Sequence, residues 1–188
     1  RDLAVLARFA LDGRLETVEL EAAHLQLEDP ISGGRAAARL LHLGLKLPQV
    51  APASHKDLAG ELTLGADGIE LPESYLVPLG HRVARLSTRL RLMGPFPQTG
   101  FEQALTRWRD DGGVIEAPWL RLHWGPLALD GEGTFALDEF FRPLAAVKAD
   151  VAGLDETLDR LGRDGFIDRK VARMAALGFA DPGAQRQQ

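Results

Sequence analysis

Apolar and polar residues alternate with a period of two along most of this chain. The clearest stretch runs from Pro118 to Asp138, PWLRLHWGPLALDGEGTFALD, where leucine and tryptophan alternate with arginine, histidine and aspartate. Such alternation is typical of a β-strand with one apolar face and one polar face. The pattern therefore predicts two strands, one on each side of Gly125-Pro126.

The connection at Gly125-Pro126 decides how these two strands pair. If it is a two-residue hairpin turn, the opposed pairs are Trp124 with Leu127, Leu122 with Leu129, and Arg121 with Asp130. One face of the hairpin is then apolar and the other carries an opposite-charge pair. Proline after glycine is not a favoured hairpin turn, so a bend within one long strand is the alternative.

The same alternation predicts strands in much of the remaining chain. They are expected near residues 3–11, 15–27, 41–47, 58–64, 69–71, 84–92 and 145–151, giving about eight to ten strands in all. Turns are expected at Asp12-Gly13 and around Ala66-Asp67-Gly68. A change of apolar phase at Ala22-Ala23 predicts a β-bulge. In the last hairpin we expect Val147 to face Phe135 and Ala149 to face Gly133.

Helical spacing occurs in two places. Phe101, Leu105 and Trp108 predict a helix near residues 101–111, which Gly112-Gly113 would end. From Leu154 to residue 178 the period of 3.6 predicts two short helices.

Together these patterns predict a mainly β (α+β) fold: a curved antiparallel meander sheet with one inserted helix and a C-terminal helical pair. In domain terms, residues 1–153 are expected to form the antiparallel β domain. Residues 154–178 are expected to pack on it as helices, and residues 179–188 to form a disordered tail.

Composition excludes several classes of function. The 188 residues contain no cysteine, which excludes disulfides, thiolate zinc sites and a cysteine nucleophile. The net charge of −5 gives no basic field for nucleic acid. No apolar run is long enough to span a membrane, so we expect no membrane span in this chain. Because it starts at Arg1 without methionine, we expect a piece of a longer protein or a processed product.

Motifs of catalysis and metal binding are absent from the sequence. The five histidines show no HxH or HExxH spacing, and neither a calcium loop nor a GxSxG element occurs. Gly131-Glu132-Gly133 lacks a third glycine and lies inside a predicted strand; we expect these glycines to leave room for a tryptophan. We therefore expect no catalytic residues, no metal, no cofactor and no enzymatic activity, while carboxylate-pair chemistry stays open.

Two groups of residues are candidates for binding. Arg85, Arg89 and Arg91 alternate along one strand, so their guanidinium groups share a face that could hold a phosphate or a lipid headgroup. A solvent-facing row paired with acids on neighbouring strands is the alternative. The second group is a set of apolar-face residues that could contact an apolar ligand: Leu122, Trp124, Leu129 and Phe135.

Three segments resemble the domain-of-unknown-function 2125 family of alphaproteobacterial proteins. They are WRDDGG at Trp108 to Gly113, WLRLHWGPLALDGEGTFALD at Trp119 to Asp138, and Met93-Gly94-Pro95; Pro143 and the helical region from Gly153 to Met174 also fit the family. The resemblance is clearest from about residue 58 to 178. Members typically begin with a membrane anchor or signal, which implies a periplasmic or membrane-associated envelope location. The family has no established activity or catalytic residues.

The alternating strands are also similar, in general pattern, to AsmA-type and lipoprotein-carrier-like envelope proteins, in which a curved sheet shelters acyl chains. We therefore expect a non-enzymatic envelope module that binds or shields a lipid or another apolar small molecule. The alternative is a structural or interaction domain with a filled core, no ligand and an envelope protein as its partner.

Overall fold

Alternating strands build a single sheet in the computed structural model of the chain, which describes residues 2–28, 34–97 and 99–168. The strands are β1 (Asp2–Phe9), β2 (Leu15–Glu28), β3 (Arg35–Lys46), β4 (Leu58–Glu70), β5 (Arg82–Met93), β6 (Val114–Trp124), β7 (Leu127–Leu137) and β8 (Pro143–Ala152). The helices are α1 (Phe101–Asp110) and α2 (Leu154–Arg163).

The eight strands lie in the sheet in the order in which they occur in the chain. Each pairs with its neighbour in antiparallel fashion, so the predicted meander is confirmed. The inserted helix is also confirmed, since α1 separates β5 from β6. Of the predicted C-terminal helical pair, α2 is described. The described residues end at 168, so most of the predicted second helix and the whole predicted tail from 179 to 188 lie outside them.

The central hairpin has the predicted register. Gly125, with φ of 56°, and Pro126 form a two-residue turn between β6 and β7. The pairs are Trp124 with Leu127, Leu122 with Leu129 and Arg121 with Asp130, as expected. The alternative of one bent strand is wrong.

The β7–β8 register differs from the expected one by two residues. Val147 faces Gly133 and Ala149 faces Gly131. The difference arises because β8 already begins at Pro143, directly after a turn that Asp138 closes. The Asp138 carboxylate accepts hydrogen bonds from the backbone N–H groups of Phe140 and Arg142, at 2.9 and 2.8 Å.

Strands β2 and β4 continue through the positions where the sequence suggested a bulge and a turn. The predicted bulge at Ala22-Ala23 is wrong, because the β2–β3 register stays constant while His24 takes a φ of 53°. The predicted turn around Ala66-Asp67-Gly68 is also wrong. There β4 runs on unbroken, and Gly68 absorbs the irregularity with a φ of 61°.

A genuine bulge lies in β6 at Pro118. Between Ala117 and Leu120 this strand has two residues where β7 has one. The register with β5 shifts over the same stretch. Proline cannot donate to a ladder, and a bulge is where an interior strand tolerates it.

Few apolar side chains are buried in the described part of the chain. They are Ala22, Ala66, Leu79, Val83, Ala104, Trp108 and Ala117, and no large side chain among them is fully enclosed. A two-layer domain of ordinary packing would bury many leucines. The described structure is therefore essentially one layer of sheet with local packing at its ends.

Trp108 forms one of these local clusters and attaches α1 to the sheet. Its indole N–H donates to the Met93 carbonyl over 2.7 Å, at the end of β5. The ring lies so close to Gly113 that a Cβ there would overlap it, and it also contacts the position of Gly94. These are the glycines that make room for a tryptophan. Gly131 and Gly133 instead allow β8 to approach closely, so that expectation was wrong.

Helix α2 is anchored at its start. Gly153 follows β8 with φ of 72°, and a Cβ there would overlap the Pro126 carbonyl of the β6–β7 turn. Thr157 is buried and donates its hydroxyl to the Gly153 carbonyl over 2.7 Å. This places the helix against β7.

We expect Trp108→Ala to lower the free energy of unfolding by about 3–5 kcal/mol, because it empties the site that fixes α1. Trp108→Phe should cost less, since it keeps most of the ring and loses the bond to Met93. Urea denaturation measures both. Phe101→Ala on the same helix, where the side chain is 76% exposed, is the control and should change little. Equal effects at the two positions would contradict this packing.

We expect Asp138→Asn to reduce stability at neutral pH and to change its pH dependence. Burial raises the pKa of the Asp138 carboxyl, but hydrogen bonds from Arg142 and Phe140 lower the pKa by more than burial raises it. The pKa therefore lies below its ordinary value. A depressed folded-state pKa stabilises the protein above about pH 4, and this contribution is lost as the pH falls. Unfolding free energies from pH 7 to 3 should thus converge for the two proteins. Glu139→Gln is the matched control, and a pH-independent difference would contradict the assignment.

Candidate functional site

One face of the sheet is built from apolar rows that cross all eight strands. Because side chains alternate between faces, the registers determine which residues share a row. The first row is Leu3, Ala22, Leu41, Ala66, Leu86, Leu122, Leu129 and Val151. The second is Val5, Leu20, Leu43, Leu64, Thr88, Leu120, Gly131 and Ala149. We call the surface formed by these rows and their continuation the apolar face.

The apolar face carries almost no polar chemistry. Thr88 is the one polar side chain in the two rows, and its hydroxyl donates to the Trp119 carbonyl over 3.0 Å. None of the leucines or valines in these rows is buried. Farther along the same face Leu62 is 38% exposed and Val147 55%. The face is therefore an accessible apolar surface across the described strands.

The four predicted apolar-face residues all lie on this surface. Leu122 and Leu129 are directly opposed, and Phe135 faces Ile115 beyond the Pro118 bulge. Trp124 lies at the other end, where its indole N–H donates to the Gly80 carbonyl over 2.7 Å. The neighbouring Leu79 is buried, so the loop between β4 and β5 packs against this end of the hairpin.

The three predicted arginines lie on the opposite face, which we call the polar face. Arg85 pairs with Asp67 over 2.8 Å, and Arg91 pairs with Glu61 over 3.0 Å. Arg89 is 3.5 Å from the other oxygen of Glu61, and its guanidinium also lies 5.9 Å from the Trp119 ring centre. This is the arrangement of the alternative interpretation, with acids on the neighbouring strand.

Electrostatics favour these ion pairs over an anion site. The hydrogen bond and charge of Asp67 raise the pKa of Arg85 above its ordinary value. The Glu61 side chain is only 17% exposed and serves two arginines. A phosphate at this row would have to compete with carboxylates already in place. Arginines and apolar-face residues therefore cannot form one lipid site with a tail and headgroup on the same side.

The polar face also contains a groove that the sequence did not reveal. Its volume is about 820 Å³, and it crosses β1 to β6. It is lined from the polar side by two rows of side chains: Ala4, Glu21, His42, Gly65, Ser87 and Arg121, and Asp2, Ala23, Leu40, Asp67 and Arg85. Small residues in the middle of these rows give the groove its depth.

Polar side chains of both acidic and basic type line the groove, and several of them have polar partners. His42 Nδ1 is 3.4 Å from a Glu21 oxygen, and Arg121 bonds Asp130 beyond the groove at 2.8 Å. Ser87 and His42 are separated by a whole strand, about 10 Å, so they do not form a nucleophile and base. No group of metal-ligating side chains occurs within the described residues. The groove thus presents mixed polar and apolar side chains, without a Ser87–His42 pair.

Neither described helix could cross a bilayer, because each has ten residues.

Comparison with known proteins gives one match. The model of a family described as "Uncharacterized protein conserved in bacteria (DUF2125)" matches residues 1–188, the whole chain. The resemblance noted in the sequence is thereby confirmed and extended over the first 57 residues. No curated protein and no solved structure matches the chain.

We expect Glu61→Gln to lower the free energy of unfolding by about 1–2 kcal/mol, because it removes the shared partner of Arg89 and Arg91. Urea denaturation measures the change. Asp130→Asn removes one pair on the same face in which both side chains are about 60% exposed, and it should cost less than about 0.5 kcal/mol. If both variants lost the same stability, Glu61 would have no special role.

Proposed function

We propose that this chain, which belongs to the DUF2125 family over its whole length, is a non-enzymatic module of the cell envelope that binds or shields a lipid on its apolar face. The location, periplasmic or membrane-associated, is part of this proposal and rests on the family resemblance. The ligand contacts the sheet through hydrocarbon.

The observation that carries the proposal is the pair of apolar rows whose large side chains remain accessible. Leu43 and Leu64 lie opposite each other near the centre of the sheet, and neither is buried. In most domains such central residues face a second layer. Exposed apolar patches of this extent mark binding surfaces.

Chemistry narrows the ligand to an acyl chain or a similar apolar group. The rows offer aliphatic side chains, and the one hydroxyl already has an acceptor. Each side chain that goes from half exposed to covered contributes on the order of 1 kcal/mol. Seven strand spacings of about 4.8 Å give the rows a length of about 34 Å, more than the roughly 15 Å of one bilayer leaflet.

In this proposal the headgroup lies away from Arg85, Arg89 and Arg91. Those side chains are on the polar face, so a polar headgroup on a bound lipid would lie at an end or an edge of the apolar face. The alternative domain with a filled core would need many large buried side chains, and among the described residues only Leu79, Val83 and Trp108 are large, apolar and buried. This difference supports the lipid proposal over that alternative.

The test is lipid binding by the purified chain. Native mass spectrometry with organic extraction should detect a co-purifying lipid, and a fluorophore-labelled palmitic acid should bind. Leu64→Asp should weaken binding of this probe at least tenfold, because a carboxylate would be desolvated under the acyl chain. Its control is Thr63→Asp, one residue away on the polar face, which should leave affinity within about twofold.

Val147→Asp is a second variant on the apolar face, and because this side chain is already 55% exposed the change is compatible with folding. It should also weaken probe binding. Wild-type protein that carries no lipid and takes up no labelled palmitic acid would overturn the proposal. Equal loss of binding in Leu64→Asp and Thr63→Asp would do the same.

A further inference from the structure

The two edges of the sheet differ in their protection against pairing with another strand. An edge strand presents unpaired backbone N–H and C=O groups, and proteins commonly block such edges with charge, proline or bulges. Strand β8 has Pro143 at its start and both Lys148 and Asp150 within it. The proline and the two charges of β8 therefore disfavour the addition of another strand at this edge.

Strand β1 has no such protection along its middle. The five residues from Leu3 to Ala7, LAVLA, contain no charge, proline or glycine. All eight residues of the strand are exposed, with Leu3 at 65% and Val5 at 61%. Within the described chain, β1 pairs with β2 alone. Among the described residues, its outer edge carries no strand.

The sequence of β1 is complementary to itself in antiparallel orientation. With Val5 opposite Val5 of a second copy, Leu3 faces Ala7, Ala4 faces Leu6, and Asp2 faces Arg8. The two charged residues of the strand thus meet opposite charges at both ends of the pairing. In this register the apolar faces of the two copies lie on the same side, because Leu3, Val5 and Ala7 all belong to the apolar face.

We propose that the chain forms a twofold dimer through antiparallel β1–β1 pairing in this register. Two eight-stranded sheets become one sheet of sixteen strands, and the apolar rows run on from one copy into the other. The interface is the same strand on both copies, as an isologous dimer requires. This inference goes beyond the proposed lipid function and does not depend on it.

The register gives a test by charge exchange, read out by sedimentation equilibrium of the purified chain. Asp2→Arg and Arg8→Asp each place like charges opposite one another, and each should raise the dimer dissociation constant at least tenfold. The double variant Asp2→Arg/Arg8→Asp restores opposite charges and should return it to within about threefold of wild type. These side chains are exposed, so folding should persist.

Val5→Lys tests the centre of the interface, because it puts two ammonium groups at the dyad and should give a monomer. Val147→Lys on β8, at 55% exposure, is the matched control and should leave the dimer intact. A wild-type chain that is monomeric at 100 µM would overturn the proposal. So would a dimer that Val147→Lys disrupts, or a double charge variant that fails to restore pairing. A monomer with slow amide exchange on the outer edge of β1 would show that another segment covers it.

Discussion

The backbone register between successive strands is the constraint on which the rest of the structure depends. In a sheet the side-chain period is two, so a shift by one residue would move a strand's leucines to the polar face. Seven registers in succession keep the apolar rows aligned from Leu3 to Val151. The irregularities at His24, Gly68 and Pro118 matter because they are absorbed without misaligning those rows.

The same registers explain why the polar face has its particular charges. Glu61 and Asp67 on β4 come opposite Arg91 and Arg85 on β5, and Arg121 comes opposite Asp130. The groove arises where Gly65 and Ser87, both small, fall in one row between the larger side chains of His42 and Arg121. The same strand registers therefore determine which side chains meet on the polar face and which meet on the apolar face.

Local sequence predicted the elements whose geometry is set by a few neighbouring residues. The β6–β7 register follows from a two-residue turn, and α1 follows from helical spacing ended by two glycines. Prediction failed where one residue decided between two conformations: Gly68 continues a strand instead of turning, and Asp138 shortens the next connection by two residues. The groove was missed because it depends on five registers at once. The placement of the arginines and leucines of β5 on opposite faces did follow from the sequence, because Arg85, Arg89 and Arg91 alternate with Leu86, Leu90 and Leu92.

A one-layer sheet links folding to association more directly than a two-layer domain does. Its strands gain backbone hydrogen bonds and side-chain contacts within a face, but the large leucines keep part of their surface in water. Anything that covers the apolar face in the folded state, and not in the unfolded chain, stabilises the fold by mass action. Pairing at β1 acts through different groups: it satisfies backbone donors and acceptors at the edge and lengthens the apolar rows without covering them. A ligand on the face and a second copy at the edge therefore do not compete for the same surface, and the two associations can occur together.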